Sequence, residues 1–401
     1  MGRNPVKPRR FGKTLIWTED LTNQTESAHT SDMEGGKSRF VSLPVQNRTM
    51  RRPERADNQE EVNMKKTVIL GALTAAGFAA GAASAATLDD VKARGQLNCG
   101  VATGVPGFAA PDASGEWDGF DVAVCRAVAA ATLGDPSAVE FVPTTGKTRF
   151  TALASGEIDM LARNTTWTFS RDVDLKFDFV GVNYYDGQGY MVPKALGVSS
   201  AKELDGATVC IQTGTTTELN LADYFRVNGM SYEPVPIETN AEAQQQYLAG
   251  ACDVYTTDAS GLAATRATFE TPSDHVILPE IISKEPLGPL VRHGDNEWAD
   301  IVRWSLNALI AAEEYGVTSA NIDEMLGGTD NPEINRLLGT EGNLGEMLGL
   351  DADWAVKAIK SGGNYGEIFA RNIGEDTPIG LARGLNAQYR DGGILYAPPF
   401  R

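Results

Sequence analysis

The chain has 401 residues, of which 42% are hydrophobic, and its formal net charge is −18. Such an acidic surface argues against nucleic acid or an anionic membrane as the partner. Four cysteines and three histidines offer little for a metal centre or for a nucleophile–base pair. We therefore expect no metal, no cofactor and no covalent catalysis.

The first 63 residues differ in character from the rest. They are polar and irregular, with basic clusters such as "KPRR" at 7–10, and they show no sustained apolar period. At Met64 the sequence becomes "MKKTVILGALTAAGFAAGAASAATLDD", in which two lysines precede an apolar run (68–80) and an A-x-A site (83–85). This pattern is typical of a secretory signal peptide at 64–85. A transmembrane anchor is the alternative, but the apolar run is shorter than the roughly 20 residues that span a membrane. Residues 1–63 are then expected to be an upstream extension with no fold.

The exported part would run from Ala86 to Arg401. It holds 22 basic and 44 acidic residues, a net charge of −22. No later segment has the length and apolarity of a membrane span, so we expect a soluble protein in the periplasm. Its size predicts a sizeable core that is divided between two lobes.

Strand and helix patterns alternate from residue 95 onward. The predicted strands are "QLNCGVA", "VEFVPT" and "IDMLAR", and the helices between them are "FDVAVCRAVAAA" and "RFTALASG", which ends at Gly156. "KFDFVGVNYYDGQGYMVPK" then predicts extended chain with a central glycine-rich bend. This alternation is typical of an α/β sheet.

The alternation restarts near residue 207. The strands are "ATVCIQTG", "YEPVPI" and "CDVYTTD", and the helices are "TTTELNLADYFRVNG", ended by Gly229, and "NAEAQQQYLAG". After "VILPEIISKEPLGPLVR" the remainder is mostly helical, including "EWADIVRWSLNALIAAEEYG" and "DADWAVKAIKSGG". The pattern therefore predicts a second α/β unit and then an extended helical C-terminal region.

All four cysteines follow the expected cleavage site. An even number of cysteines in an exported chain favours disulfides, and four cysteines allow three pairings. The local pairs, Cys99–Cys125 and Cys210–Cys252, would each join neighbouring elements. Each would contribute about 3–4 kcal/mol on a loop-entropy basis. Zinc is the competing interpretation, but no C-x-x-C occurs.

Two stretches resemble each other in the placement of polar groups. "SGEIDMLARN" (155–164) and "AGACDVYTTD" (249–258) share a helix-terminating glycine, an aspartate three residues later and then a strand. Asn164 and Asp258 therefore occupy equivalent positions just beyond a strand. Because ligands of open α/β sheets bind outside the carboxyl ends of the strands, both residues are candidates for a binding cleft.

Three further features could bind the charged groups of a small ligand. "QTGTTTE" (212–218) lies where a strand turns into a helix, so its backbone N–H groups could bind an anion, although ordinary capping by Thr215 and Glu218 is equally consistent. Arg171, in "NTTWTFSRD", could grip a carboxylate with two parallel hydrogen bonds, or pair with a neighbouring aspartate on the surface. Asp258 could neutralise an ammonium group, or cap the helix that follows it.

Several stretches together resemble the periplasmic amino-acid-binding proteins of ABC importers, the family 3 solute-binding proteins, and most of all their general L-amino-acid-binding (AapJ/BztA-like) group. The resemblance covers essentially all of the exported part. It is carried by stretches in the same order, among them "RFTALASGEIDMLARNTTWTFSRD", "VCIQTGTTTELNLADYF", "CDVYTTDASGL" and "GNYGEIFARN".

The resemblance implies the two-lobed, type II periplasmic-binding-protein fold, with two α/β lobes joined by a two-strand hinge. We expect lobe 1 at 86–190 and 290–401, with the helical C-terminal extension, and lobe 2 at 191–289. The hinge strands are expected near 189–194 and 284–290.

The resemblance also assigns roles at the site. Arg171 would bind the α-carboxylate, together with backbone N–H groups of Thr166 and Thr216. Asp258 would bind the α-ammonium, with help from Asn164 and Thr166. The other positions assigned to the site are Thr168, Gly214, Thr215 and Phe108, the last as an aromatic residue in the mouth of the first lobe.

The function implied is the capture of L-amino acids, with broad specificity, for an inner-membrane ABC permease and its cytoplasmic ATPase. The protein would act as a monomer. Two alternatives use the same fold: an exported enzyme, such as a dehydratase of a cyclic carboxylic acid, and a sensory binding module. An enzyme would need a general acid or base in the cleft, and Asp258 is the one charged candidate besides Arg171.

Overall fold

The computed structural model describes residues 87–401. The extension expected at 1–63 and the signal peptide expected at 64–85 lie outside the described residues. Within 87–401, no helix combines the length and apolarity needed to cross a membrane.

Helices make up much of the described chain, above all after residue 295. They are α1 (Thr87–Arg94), α2 (Phe120–Leu133), α3 (Arg149–Ser155), α4 (Thr216–Val227), α5 (Asn240–Leu248), α6 (Ala259–Arg266), α7 (Asn296–Glu314), α8 (Ile322–Met325), α9 (Pro332–Leu337), α10 (Leu344–Met347), α11 (Trp354–Gly362) and α12 (Tyr365–Asn372). A single π-helical turn, Ser170–Asp174, follows the polar stretch that contains Thr166.

Strands occupy the first two thirds of the described chain. They are β1 (Leu97–Ala102), β2 (Ala110–Pro111), β3 (Trp117–Asp118), β4 (Val139–Thr144), β5 (Met160–Leu161), β6 (Phe177–Phe179), β7 (Tyr184–Asp186), β8 (Gln188–Pro193), β9 (Ala207–Gln212), β10 (Tyr232–Ile237), β11 (Val254–Asp258), β12 (His275–Ile277), β13 (Glu285–Leu287) and β14 (Leu290–Arg292). The strands predicted from apolar runs are thus confirmed.

The strands form two five-stranded sheets with the same plan. The first sheet has the order β4-β1-β5-β14-β6 and the second the order β10-β9-β11-β8-β12. In each sheet, the first three strands of this order run parallel. The fourth strand pairs antiparallel with the third, and the fifth pairs antiparallel with the fourth. The prediction of an α/β fold is confirmed. β5, which ends three residues before Asn164, and β11, which ends at Asp258, are the third strands of their sheets.

A two-stranded ribbon connects the sheets. The chain leaves the first sheet after β6 and passes through β7, and it returns from the second sheet through β13, which pairs antiparallel with β7. We call β7 and β13 the crossing ribbon. Because β8 is a continuous strand of the second sheet, the boundary expected after residue 190 falls inside a strand, and the first crossing lies earlier, at Tyr184–Asp186.

Helices α7, α11 and α12 pack on α2 against the first sheet. Their apolar faces share one core with aromatic residues that include Phe120, Tyr365 and Phe369. The second sheet has smaller cores on its two faces, one around Tyr190 and Phe225 and one around Tyr255. The predicted helical C-terminal region is confirmed, and it is part of the first core rather than a separate body.

Both predicted disulfides are present. Cys99 in β1 is joined to Cys125 in α2, and Cys210 in β9 is joined to Cys252, which precedes β11. The paired Cα atoms are 6.2 and 5.6 Å apart. All four cysteines are buried.

Candidate functional site

A polar cavity lies where the carboxyl ends of the strands of both sheets meet. Its wall on the first sheet's side is formed by Ala102, Thr103, Val105, Arg149, Arg163, Asn164 and Thr166. Its wall on the second sheet's side is formed by Gln212, Thr215, Thr216, Thr217, Asn240, Tyr255, Thr257, Asp258, Ser260 and Gly261. This is the position at which α/β sheets bind ligands.

Two buried arginines line the first sheet's side of the cavity. Arg149 begins α3, and its guanidinium donates to the Thr165 hydroxyl and to the carbonyl of Gly214, each at 3.3 Å. Its Nε is buried without a hydrogen-bond partner. Arg163 follows β5 and donates from Nε to the carbonyl of Thr144 at 3.0 Å. Each guanidinium carries five N–H donors, so these contacts leave much of their donor capacity unused.

The two guanidinium groups are held in an unfavourable electrostatic environment. Burial, followed by the nearby charges of Arg163 and Arg171, lowers the pKa of Arg149 well below its usual value. Burial and the charge of Arg171 lower the pKa of Arg163 to about 10. A cluster of buried cations is stabilised by an anion that enters it.

Arg171 lies directly behind the cavity wall rather than on it. Its Nη1 donates to the carbonyl of Thr166 at 2.8 Å, and its guanidinium lies 5.2 Å from the ring centre of Phe150. The side chain is buried, which lowers its pKa to about 10, while Glu285 and Asp258 act in the opposite direction. Within the π-helical turn Ser170–Asp174, Arg171 is the buried residue.

Asp258 and Asn164 both line the cavity, from opposite sheets. Burial, with the charges of Asp186 and Glu285, raises the pKa of Asp258 well above its usual value. Although Asp258 precedes α6, its side chain makes no capping hydrogen bond. Asn164 has φ of 40°, a left-handed conformation that asparagine tolerates, and its Oδ1 is buried without a partner. Both groups are therefore free acceptors for a cation.

The turn before α4 supplies backbone donors. Gly214 adopts φ of 73°, and the Thr215 hydroxyl donates back to the carbonyl of Gln212 at 2.7 Å. The capping alternative is therefore not realised: the Thr215 side chain does not cap the helix, and Glu218 accepts from the Gly214 N–H at 3.3 Å rather than from the N–H of Thr215. The first N–H groups of α4 stay available to an anion.

Besides Arg171, three of the residues assigned by sequence do not line the cavity. Phe108 is completely buried and packs edge-on against Phe120 and Tyr184, so it is a core residue and not part of the mouth. Thr168 is directed to the π-helical turn, where its hydroxyl accepts from the Arg171 N–H at 3.3 Å. Gly214 takes part through its carbonyl, which accepts from Arg149.

A buried glutamate that the sequence did not single out connects the two sides. Glu285, in β13, accepts from the hydroxyls of Thr166 and Thr216, at 2.5 and 3.0 Å. Its other oxygen accepts from the side chains of Asn220 and Ser283, at 2.7 and 2.6 Å. Thr166 belongs to the first sheet's side and Thr216 to the second, so one carboxylate of the crossing ribbon joins both walls.

Other contacts also join the two sides of the cavity. Lys147 forms an exposed ion pair with Glu238 at 2.7 Å, and the Asn240 side chain donates to the carbonyl of Gly104 at 3.1 Å. At Gly146 the approach is so close that an added Cβ would lie 2.6 Å from the carbonyl oxygen of Thr213.

Two α/β sheets of equal plan, joined by a two-stranded ribbon and enclosing a buried polar cavity, define a two-lobed solute-binding protein. The chain belongs to the bacterial extracellular solute-binding proteins, family 3, whose sequence model matches residues 97–321. Residues 322–401 lie beyond that match.

Individual relatives agree with this assignment. The chain is 68% identical to the glutamate/glutamine/aspartate/asparagine-binding protein BztA of Rhodobacter capsulatus, over 84% of this chain and the whole of that protein. It is 59% identical to the general L-amino acid-binding periplasmic protein AapJ of Rhizobium johnstonii, over 84% of this chain and the whole of that protein.

A solved structure is also similar. It is an ABC transporter periplasmic binding protein from Brucella ovis with glutathione bound, 59% identical, with a TM-score of 0.77 over 79% of this chain and all of that chain. The comparisons support a solute-binding protein and not the exported enzyme considered above.

Proposed function

We propose that this chain captures L-amino acids in the periplasm, as a monomer, and delivers them to an inner-membrane ABC permease with its ATPase. The observation that carries the proposal is the charge arrangement around one cavity. Three buried guanidinium groups with few protein acceptors lie on one side, Arg149 and Arg163 in the cavity wall and Arg171 directly behind it, and the half-buried carboxyl of Asp258 lies opposite. An amino acid presents the complementary pair of charges, and burying a zwitterion requires both charges to be paired.

The main-chain groups of the ligand would bind near Thr166. We assign the α-carboxylate to Arg171, whose guanidinium has one hydrogen bond to the protein, at Thr166, and to the N–H groups of Thr166 and Thr216. We assign the α-ammonium to Asp258 and to the free Oδ1 of Asn164. An ammonium group in place would favour the carboxylate form of Asp258 and so lower its raised pKa.

The ligand's side chain would lie toward Arg149 and Arg163. Guanidinium donors favour carboxylate and amide oxygens and disfavour cationic side chains. The names of the relatives agree with this preference: the Rhodobacter protein is named for glutamate, glutamine, aspartate and asparagine. The Brucella structure contains glutathione, which has two carboxylates and one ammonium group.

Binding would close the two sides on the ligand. Because the assigned groups come from both sheets, one arrangement of the lobes makes all the contacts at once. A ligand that binds this arrangement better shifts the equilibrium toward it, and the permease would recognise the closed form. The lobes in this proposal are the regions around the two sheets, and the crossing ribbon is the hinge.

Calorimetric titration with the twenty L-amino acids and glutathione tests the proposal. We expect binding of several amino acids, with glutamate, glutamine, aspartate and asparagine among the tightest and lysine and arginine among the weakest. Absence of heat with all twenty, or chemical turnover of a bound acid, would overturn it.

A further inference from the structure

The C-terminal region (322–401), which lies beyond the family match, is bonded to the first strand of the crossing ribbon. The Asn386 side chain accepts from the Tyr185 N–H at 2.7 Å and donates to the Tyr185 carbonyl at 3.1 Å. On its other side Tyr185 is paired with Pro286 of β13. One buried amide group thus occupies the free edge of β7 in the way that a neighbouring strand would.

The two residues before Tyr185 are held by the same region. The Tyr365 hydroxyl donates to the carbonyl of Asn183 at 2.8 Å, within the core. The ring of Tyr184 lies parallel to that of Phe369, with centroids 6.2 Å apart. Three consecutive residues, Asn183 and the first two residues of β7, are therefore fixed by α12 and by the loop around Asn386.

Asn386 is itself rigidly placed. Arg383 donates from Nε and Nη2 to the carbonyl of Asn386, at 3.0 and 2.9 Å. The same guanidinium forms a double hydrogen bond with Glu313 of α7, at 2.8 and 3.0 Å. Gln388 also donates to Glu313. The loop is thereby anchored to the longest helix of the first core, and Asn386 is only 3% exposed.

The next residue of β7, Asp186, contacts a residue of the cavity wall. Asp186 accepts from the Ser260 N–H at 3.3 Å, and Ser260 and Asp258 both line the cavity. The carbonyl of Gly187 accepts from the Ala259 N–H at 2.8 Å. Asn386 therefore holds Tyr185, and the next two residues of the chain, Asp186 and Gly187, hold the turn after Asp258.

We propose that Asn386 is a positioning residue of the amino-acid site: it fixes β7 so that Asp186 stays against Ser260 beside Asp258, and the C-terminal region thereby sets how stably the two lobes close. This inference rests on the proposed function. Asn386 contacts no cavity residue directly, so its effect is the same for every ligand, whatever the ligand's side chain.

The test compares Asn386→Ala with Asn372→Ala. Asn372 is a buried asparagine of the same region whose side chain donates within α12, to the carbonyl of Ile368 at 2.8 Å. Dissociation constants are measured by calorimetry for glutamate, glutamine and alanine, and dissociation rates by stopped flow. We expect Asn386→Ala to weaken every ligand that binds by about tenfold, mostly through faster dissociation, and Asn372→Ala to change none by more than about twofold.

A milder variant keeps the inference testable if Asn386→Ala does not fold. Tyr365→Phe removes the single hydrogen bond to Asn183, and we expect a uniform loss of about threefold. Unchanged affinity in Asn386→Ala, a loss confined to some ligands, or an equal loss in Asn372→Ala would each overturn the inference.

Solution X-ray scattering without ligand provides a readout that does not depend on the proposed function. Asn386→Ala should enlarge the radius of gyration relative to the wild type and to Asn372→Ala, because a less constrained ribbon opens more widely. If the wild type bound no amino acid, the proposed function would fail. The scattering comparison would still decide the role of Asn386: equal radii in all three proteins would refute it.

Discussion

Arg171 and Thr166 are joined by a hydrogen bond of 2.8 Å, from Nη1 to the backbone carbonyl. The contact places a buried guanidinium immediately behind a residue of the cavity wall. Since the remaining donors of Arg171 have to find acceptors in a largely dry environment, an anion that enters beside Thr166 would complete its hydrogen bonding.

The first prediction concerns this guanidinium. Arg171→Ala should weaken every bound amino acid at least about 100-fold, because two charge-assisted hydrogen bonds of about 1.5–3 kcal/mol each are lost. Arg226→Ala is the control, since Arg226 forms an exposed pair with Asp223. Calorimetry decides the outcome, and one ligand that still binds Arg171→Ala with near wild-type affinity would show that the carboxylate lies elsewhere.

The second prediction concerns ligand ranking. Arg149→Lys keeps the positive charge but loses the planar arrangement of donors. We expect it to weaken glutamate and aspartate about tenfold more than alanine, and Arg163→Gln to act in the same direction. The ratio of dissociation constants within one variant is an internal control for folding. Equal weakening of acidic and apolar ligands would place both side chains outside the ligand's side-chain pocket.

The third prediction concerns the close approach of Gly146 to Thr213. Gly146→Ala places a Cβ 2.6 Å from a backbone oxygen, so the two loops must separate by some tenths of an ångström. We expect all ligands to bind about tenfold more weakly, because the closed arrangement is strained. Lys147→Ala is the matched control: it removes the exposed ion pair to Glu238 in the same loops and should change affinity less than about fivefold. The reverse order of effects would contradict the prediction.

The fourth prediction is a pH dependence of stability. Burial raises the pKa of Asp121 to about 6, against hydrogen bonds from Asn183 and Asn164 that lower it. The folded chain therefore holds a proton between about pH 4 and 6 that the unfolded chain has lost. The contribution of this protonated carboxyl to the free energy of unfolding is complete below about pH 4 and disappears as the pH rises through 6. The asparagine of Asp121→Asn does not titrate. The free energy of unfolding of this variant, relative to that of the wild type, should therefore rise by about 3 kcal/mol between pH 4 and 7.

Urea unfolding of both proteins at several pH values measures this difference. Asp112→Asn supplies a check of sign. Hydrogen bonds from the side chain and backbone of Ser114 lower the pKa of the exposed Asp112, so its replacement should change the pH dependence in the opposite direction. A difference between Asp121→Asn and wild type that stays constant with pH would refute the assignment.

Much of the fold follows from local patterns in the sequence. β1, β9 and β11 are apolar runs, and α3 ends where Gly156 adopts a left-handed conformation. The crossing ribbon does not follow from such patterns. β7 and β8 are separated by one residue and are both extended, while the partner of β7 lies about 100 residues later in β13. Only that distant pairing shows where the chain leaves the first sheet.

The lining of the cavity could be predicted in part. Asn164 and Asp258 could be located because a residue just beyond a parallel strand has a defined place in the sheet. Arg149 and Arg163 could not, since an arginine at the start of a helix or after a strand is usually solvated, and their burial depends on the second sheet. A charged residue that directly continues an apolar strand, as in "IDMLAR", was the available signal for Arg163. Phe108 was misplaced because its burial depends on Tyr184 and Phe120, which pack on it in three dimensions.

The two disulfides occupy related places, since Cys99 lies in β1 and Cys210 in β9, the second strands of their sheets. Their loops, with sequence separations of 26 and 42 residues, each lie on one side of the crossing ribbon. Oxidation therefore restricts the unfolded ensemble of each half separately. It ties neither half to the other, so the covalent reinforcement of the protein is independent of the motion by which it would take up and release its cargo.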